Sequence, residues 1–314
     1  MASLAATLAA RMRRRPTPGG PPAPFVVGVG RSGTTLLRLM LDSHPQLAIP
    51  PETGFVPDVI RVCGRRGARA PQVMALLREQ RSWGDFDLDE GELERRMAAA
   101  PRLDAATALR ALYGLYAENQ DKPRWGDKTP AYVKRMPMIE RALPEARFIH
   151  VIRDGRDVAL SRAKRAIREP APPQRAAETW RKRILRAREQ AKRLDHYTEV
   201  RYEDLVTDTE ATLRRLAAAI DLEWDPAMLR YYERAGERLA EISRDLPAKG
   251  TKAERPGAER AAAHALAKEP PKPDRVAAWR ERMSDDDRAA YERVAGDLLA
   301  ELGYEVATPA GSSS

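Results

Sequence analysis

The sequence predicts an α/β fold with a central, mostly parallel sheet and a helical insertion. Three observations lead there. The apolar runs Phe25-Val26-Val27 and Arg147-Phe148-Ile149-His150-Val151-Ile152 have the makeup of buried strands. Each is followed by a helix-forming stretch, the order that builds parallel strands with right-handed crossovers. Between residues 55 and 120 no strand pattern is convincing, and Leu109, Leu112, Tyr113 and Tyr116 repeat at helical spacing instead.

Taken in order, residues 1–24 read as a flexible tail ending in Pro16-Thr17-Pro18-Gly19-Gly20-Pro21-Pro22, which cannot bury enough surface to fold. A single domain follows, residues 25–305. Its first strand runs through a glycine loop into Leu36-Leu37-Arg38-Leu39-Met40-Leu41, apolar almost all round and so expected to be buried. Pro45 stops that helix, because the residue before a proline avoids helical geometry. Leu47-Ala48-Ile49 reads as a short strand, ended by Pro50-Pro51. The helical insertion spans about 55–122, and Arg124 to Pro130 reads as a short strand running into a loop. After Ile152, Asp154 is a candidate N-cap. A basic helix follows the Pro-rich break at Pro170 to Pro173. Tyr197 to Tyr202 is a third strand, and Thr207 with Glu210 forms a capping-box pattern. Residues 237–273 are polar with little periodicity, as in lids or loops. A last helix starts at Ser284 and stops at Gly303, followed by a short tail at 306–314.

The 314 residues, 43% apolar, suffice for one large domain. No apolar run approaches the ~18 residues of a membrane span. A single cysteine, Cys63, excludes an intrachain disulfide and suits a reducing cytoplasm. Four histidines and that cysteine show no metal-ligand spacing, so no metal is expected. The net charge of +9 is uneven: Lys164 to Arg193 holds eleven Lys/Arg against three Glu, and the first fifteen residues add four arginines. That basic helix carries one aromatic, Trp180, and no nucleic-acid fold signature. It is expected to be a solvated face and a field for an anionic ligand rather than a nucleic-acid site.

The chemistry centres on Gly28-Val29-Gly30-Arg31-Ser32-Gly33-Thr34-Thr35. Strand, glycine loop and helix in that order make an anion site, since unpaired N–H groups and the helix dipole face the loop. Gly28-x-Gly30-x-x-Gly33 matches the dinucleotide spacing, and Gly28-x4-Gly33 opens a Walker A loop with Thr34 where its lysine belongs. A structural Gly-rich turn is the plainer alternative. Ligands of parallel sheets bind at the carboxyl ends of the strands. That rule brings Arg31, Glu52 and Lys128 together with Arg153 and Ser161, and Arg165 follows one turn beyond Ser161. An arginine, a hydroxyl and a second arginine could hold a second phosphate, which suggests a nucleotide phosphorylated at two places.

These residues resemble a family. Gly30 to Leu36, with Asp42-Ser43-His44-Pro45 and Glu52-Thr53, is similar to the 5′-phosphosulfate loop of sulfotransferases, in the variant of the tyrosylprotein sulfotransferases and their bacterial relatives. Val151 to Ser161 resembles the family's 3′-phosphate motif, and Gly126-Asp127-Lys128-Thr129-Pro130 the segment with its catalytic lysine. Val200 to Leu205 and Trp279-Arg280 resemble later landmarks. The resemblance implies a P-loop-type three-layer fold and the donor 3′-phosphoadenosine 5′-phosphosulfate (PAPS). Arg31, Ser32, Gly33, Thr34 and Thr35 would hold the 5′-phosphosulfate; Arg153, Ser161 and Arg165 the 3′-phosphate; Tyr202 would lie on the adenine side. Glu52 would be the general base, with Lys128 stabilising the leaving group and Arg31 assisting. The family's last donor contact falls in Leu266 to Pro273, where Lys268 and Lys272 are the candidates. The acceptor is expected to be a small molecule or a peptide, and a homodimer stays open.

Plainer readings stand beside these. Glu52 could be a helix N-terminal carboxylate, Lys128 a solvated loop charge, and Tyr202 a strand-end aromatic. His44 is conceivable as a base but fits a turn, and His150 fits a buried strand. Rival functions are a dinucleotide-binding dehydrogenase, with Glu52 on the ribose, and a basic binder of nucleic acid or acidic protein using Lys164 to Arg193.

Overall fold

The computed structural model describes residues 19–100, 102–164, 170–249, 254–262 and 264–306. Arg165, and the tails before residue 19 and after 306, lie outside the described residues.

The central strand β1 is Ala23–Gly28, so it begins two residues inside the expected tail. The buried helix α1, Thr34–Asp42, follows the glycine loop. A two-residue strand β2, Leu47–Ala48, leads to the insertion, built from α2 (Val56–Cys63), α3 (Ala70–Arg78), α4 (Glu90–Ala98) and α5 (Ala105–Glu118). Asp89 and Asp104 cap the last two by accepting from Glu92 N and Thr107 N. Strands β3 (Arg124–Trp125) and β4 (Asp127–Lys128) come next, then α6 (Met136–Ala142), β5 (Ala146–Ile152), α7 (Gly155–Ala163), α8 (Pro173–Ala191) and β6 (Tyr197–Arg201). The chain continues through α9 (Tyr202–Thr207), α10 (Thr209–Ala219), α11 (Ala235–Ala240), α12 (Gly257–Ala262), α13 (Trp279–Arg282) and α14 (Asp285–Glu301).

The main sheet is fully parallel, in the order β4-β1-β5-β6, with Phe25 opposite Phe148 and Asp127, and His150 opposite Glu199. The expected strand at Leu47 does not join it. It pairs with β3 in a separate two-stranded sheet, Leu47 opposite Arg124. The chain passes from that small sheet to the main one at Gly126. A Cβ there would lie 2.8 Å from Pro24 O and 3.2 Å from Ile49 Cγ1, so only glycine fits the crossing.

Alternation along β1 and β5 separates two cores. Phe25, Val27 and Phe148 face the insertion, where Tyr113, Leu109 and Met74 are buried. Val26, Ile149 and Val151 face α1, α9 and α10 through Leu37, Leu39, Leu205 and Leu216. A third cluster, Val29, Ile152, Trp180, Ile184, Tyr291 and Leu298, packs α7, α8 and α14 beside the strands' carboxyl ends. Helices therefore cover both faces of the sheet.

Two local expectations change. Thr207 and Glu210 make no capping box: α10 is preceded by Asp208 without a side-chain cap, and Thr207 Oγ1 bonds back to Glu203 O at 2.9 Å. A second short helix, α9, ends at Thr207, so the hydroxyl closes that helix instead of opening the next. The stretch 237–273 is not a bare loop. It holds the end of α11, α12 and two 3-10 turns, Ala265–Lys268 and Pro273–Arg275.

Candidate active site at the carboxyl edge of the sheet

The glycine loop is tight where a ligand would need backbone access. Gly33 has φ +92°, and a Cβ on it would fall 2.3 Å from Tyr202 Cδ2. Arg31 occupies the same left-handed region at φ +84° without being glycine. Such a conformation costs about 1–3 kcal/mol and persists only where the surroundings enforce it. Here Arg31 Nε donates to Ser161 Oγ at 3.1 Å, and Arg153 Nη1 lies 3.4 Å from Arg31 O. The loop after β1 is thus joined to the turn after β5 through Arg153 and to α7 through Ser161.

Arg153 is almost buried, and its place is fixed from several sides. Its Nη2 donates to Arg275 O at 2.8 Å, its guanidinium lies 4.3 Å from the Tyr202 ring centroid, and its carbonyl accepts from Trp180 Nε1 at 3.1 Å. Its Nε is buried with no partner, and so is Ser32 Oγ. Tyr202 is the first residue of α9, not the last of a strand, and its ring separates Gly33 from Arg153. Burial pushes its phenol above the ordinary range, so it stays neutral.

One cleft is lined by Arg31, Gly33, Thr34, Thr35, Arg153 and Ser161 together with Tyr202, Tyr231, Lys272 and Arg275. Ser32 does not line it; its side chain is fully buried. Of the two late lysines, Lys272 reaches the cleft and Lys268 does not. The cleft continues past Thr35 and His264 into two further chambers, both touching Glu52.

At that junction Lys128 Nζ donates to Glu52 Oε1 at 2.7 Å and to Thr35 Oγ1 at 3.4 Å. Lys128 is 5% exposed at the side chain and Glu52 53%, so the lysine is no solvated loop charge. Glu52 lies four residues before α2 and outside its first turn, which removes the helix-terminus reading.

Behind this pair lies a buried polar cluster that sequence reasoning missed. Thr53 Oγ1 donates to Asp127 Oδ2 at 2.7 Å, Tyr113 OH donates to the same oxygen at 2.8 Å, and Thr53 N donates to Thr129 Oγ1 at 3.1 Å. Thr53 follows Glu52, and Asp127 and Thr129 flank Lys128, so the cluster holds that pair in register, with Tyr113 bracing it from the insertion. Burial pushes the Asp127 carboxyl up to about 6, against the lowering effect of its bonds from Thr53 and Tyr113. Thr53 and Asp127 sit inside the quoted motifs, but nothing in one dimension shows that they touch.

The far wall joins the insertion to the late segment. Arg260 of α12 donates to Asp85 Oδ1 at 3.0 Å, both buried. Arg38 donates to Ile49 O at 2.9 Å and to Glu241 Oε2 at 2.9 Å. His44 serves its turn, with Nε2 on Glu223 O at 2.9 Å. His150 is buried in β5 against Tyr197 OH at 2.6 Å. Neither lines the cleft. Among the described residues no group of three or more His, Cys, Asp or Glu could hold a metal ion, and no helix is long and apolar enough to cross a membrane.

A glycine loop between a central parallel strand and a buried helix, with a cation–hydroxyl pair at the next strand, defines an α/β fold of P-loop type. The sequence pattern of the sulfotransferase family matches residues 22–226, more than half of the chain, and the chain belongs to that family. It is 25% identical over 218 residues to the protein-tyrosine sulfotransferase of Drosophila melanogaster, covering 68% of this chain and 40% of that protein. It is 26% identical over 227 residues to protein-tyrosine sulfotransferase 1 of Danio rerio, covering 69% and 58%. The chain spans about half the length of the curated relatives it matches. In fold it is similar to the sulfotransferase domain of the Synechococcus olefin synthase, with a TM-score of 0.63 at 23% identity, covering 94% of this chain and 99% of that one. The sulfotransferase domain of the curacin biosynthetic pathway gives 0.57 at 20%, covering 92% and 99%.

Proposed function

We propose that this chain transfers a sulfuryl group from PAPS to a hydroxyl or amine of an acceptor, with Glu52 as general base and Lys128 stabilising the leaving group. The observation that carries this reading is the Arg31–Ser161 hydrogen bond at 3.1 Å, which brings two anion-binding motifs into one cleft. A nucleotide phosphorylated at two places needs two such motifs side by side. The orphaned Arg153 Nε fits a site completed by an anion. The close approach of Tyr202 to the bare Gly33 backbone fits an aromatic wall for a base.

PAPS would supply the activated sulfuryl group. Arg31, Gly33, Thr34 and Thr35 would hold its 5′ end; Arg153 and Ser161 its 3′-phosphate. Arg165 is part of the same reading by motif alone, and Ser32 would contribute through the loop it shapes. Lys128 has three N–H donors, and Glu52 and Thr35 occupy two. The third is available to an oxygen that gains charge, in a buried setting where such contacts are strong. Glu52 makes no other carboxylate hydrogen bond among the described residues and is half exposed, as a base meeting its acceptor must be. A reducing cytoplasmic setting is part of this reading, supported by the lone buried Cys63.

Adenosine 3′,5′-bisphosphate is expected to raise the melting temperature, and ATP and NAD are not. Protection by ATP alone would overturn the donor assignment. Labelled sulfate should pass from PAPS to members of a panel of phenols, alcohols, amines and sugars, and fail to do so in Glu52→Gln.

A further inference from the structure

The chamber between Gly30 and Glu52 is unusually cationic. Lys134, Arg162, Arg183 and Arg255 line it, and among the described residues Glu52, held by Lys128, is its one carboxylate. None of these four cations makes an ion pair among the described residues. Some other cations on α8 and just beyond its end are paired. Arg181 pairs with Asp297, Arg188 with Glu199 at 2.8 Å, and Lys192 with Glu189 at 2.6 Å. Arg175, Lys182 and Arg186 of α8 also make no ion pair among the described residues; what sets Arg183 apart is that it lines the chamber beside Arg162.

Arg162 strengthens the point. It is half-buried, its Nε is buried without a partner, and its Nη2 would lie 3.7 Å from a Cβ on Gly30. Burial and then the nearby Arg183 charge push its guanidinium down, against the ordinary tendency to stay protonated. Two half-buried arginines side by side cost free energy unless an anion joins them. The planar guanidinium suits a carboxylate or phosphate.

We infer that Arg162 and Arg183, flanked by Lys134 and Arg255, form a subsite for an anionic group, carboxylate or phosphate, on the acceptor. This deepens the transferase reading and rests on it. The anion would lie in the same chamber as Glu52, so it would orient the acceptor's hydroxyl or amine toward that carboxylate.

The test titrates inorganic phosphate into the full chain, with and without saturating adenosine 3′,5′-bisphosphate. Wild type and Arg162→Gln/Arg183→Gln are compared by calorimetry, with the ion-paired Arg181→Gln as control. With the nucleotide saturating, wild type and the control should bind one phosphate, and the double variant should bind it at least tenfold more weakly; without the nucleotide the glycine loop and the Arg153–Ser161 pair can add phosphates, and the loss in the double variant is what is read. Arg183→Lys should retain much of the binding. Equal phosphate affinity in wild type and the double variant, at unchanged melting temperature, overturns the subsite. Failure of the nucleotide to bind anywhere overturns the donor reading instead, and the nucleotide-free titration still judges the pocket. A kinetic arm pairs 4-hydroxyphenylacetate with its neutral amide. The double variant should raise KM for the acid at least tenfold and leave the amide unchanged; equal losses on both would also overturn the subsite.

Discussion

At the glycine-loop end of the cleft, Arg31, Arg153 and Ser161 stand after β1, at the end of β5 and within α7, on elements fixed by the main sheet. At the other end, Arg255, His264 and Arg260 stand on a stretch of short helices and turns held by a few polar contacts such as Arg260–Asp85. The first end is rigid because buried strands position it. The second has few apolar anchors, and segments of that kind open at lower free energy. The match to the family ends at residue 226, before this second wall begins. A shared donor with a variable acceptor would produce such a division: one end built from the core, the other from what is laid over it.

Substitutions can break or sharpen that contrast. Glu52→Gln, at the junction, should lower kcat by about 10²–10⁴, the usual worth of a general base, with nucleotide protection intact in melting experiments. Lys128→Ala should cost about 10²–10³ in kcat, the worth of one preorganised donor. Arg153→Ala at the rigid end should weaken adenosine 3′,5′-bisphosphate binding by about 10- to 150-fold, from the ~1.5–3 kcal/mol of a hydrogen bond to a charged group. Acceptor KM should hardly move, and a comparable change there would erase the division between the two ends.

Smaller effects test the buried cluster. Thr53→Val removes the donor to Asp127 and should destabilise the chain by about 1–3 kcal/mol in urea melts. It should also lower kcat about tenfold, roughly 1.4 kcal/mol, by loosening the Glu52–Lys128 register. Unchanged kcat with lost stability would make the cluster purely structural. An effect confined to one pH window belongs to His150, whose imidazole burial pushes down to about 4. A folded pKa below the unfolded ~6.5 contributes stability that is whole above pH ~6.5 and lost as pH falls toward 4. His150→Gln should therefore flatten the stability–pH curve in that window, by at most about 3 kcal/mol. Asp127 has the opposite sign: its raised pKa gives stability below about 4 that is lost as pH rises through about 6.

The glycine-loop end was readable because its residues sit at fixed offsets from buried strands and helices. The glycine spacing marks the loop, and the apolar run before it marks the strand end that aims it. Ser161 was readable once β5 and its helix were placed. The Thr53–Asp127 contact was not, since it joins residues 74 apart through an edge strand of two residues, too short to carry a pattern. Lys272 and Arg275 were not separable from Lys268 in a stretch without periodicity. The capping box at Thr207 misled because a six-residue helix, α9, already occupied that position.

Taken alone, the sequence determined the order of strands and helices, the glycine loop and the identity of the cations that could meet there. These depend on local periodicity and on backbone freedom at single residues, which any one stretch carries by itself. Only the tertiary structure decided which of many arginines pair with a carboxylate among the described residues, that Leu47 pairs outside the main sheet, and that Glu52 and Lys128 share one proton-bearing contact. Those outcomes depend on distances between segments far apart in the chain, and long-range distance is set by packing, not by neighbours in sequence.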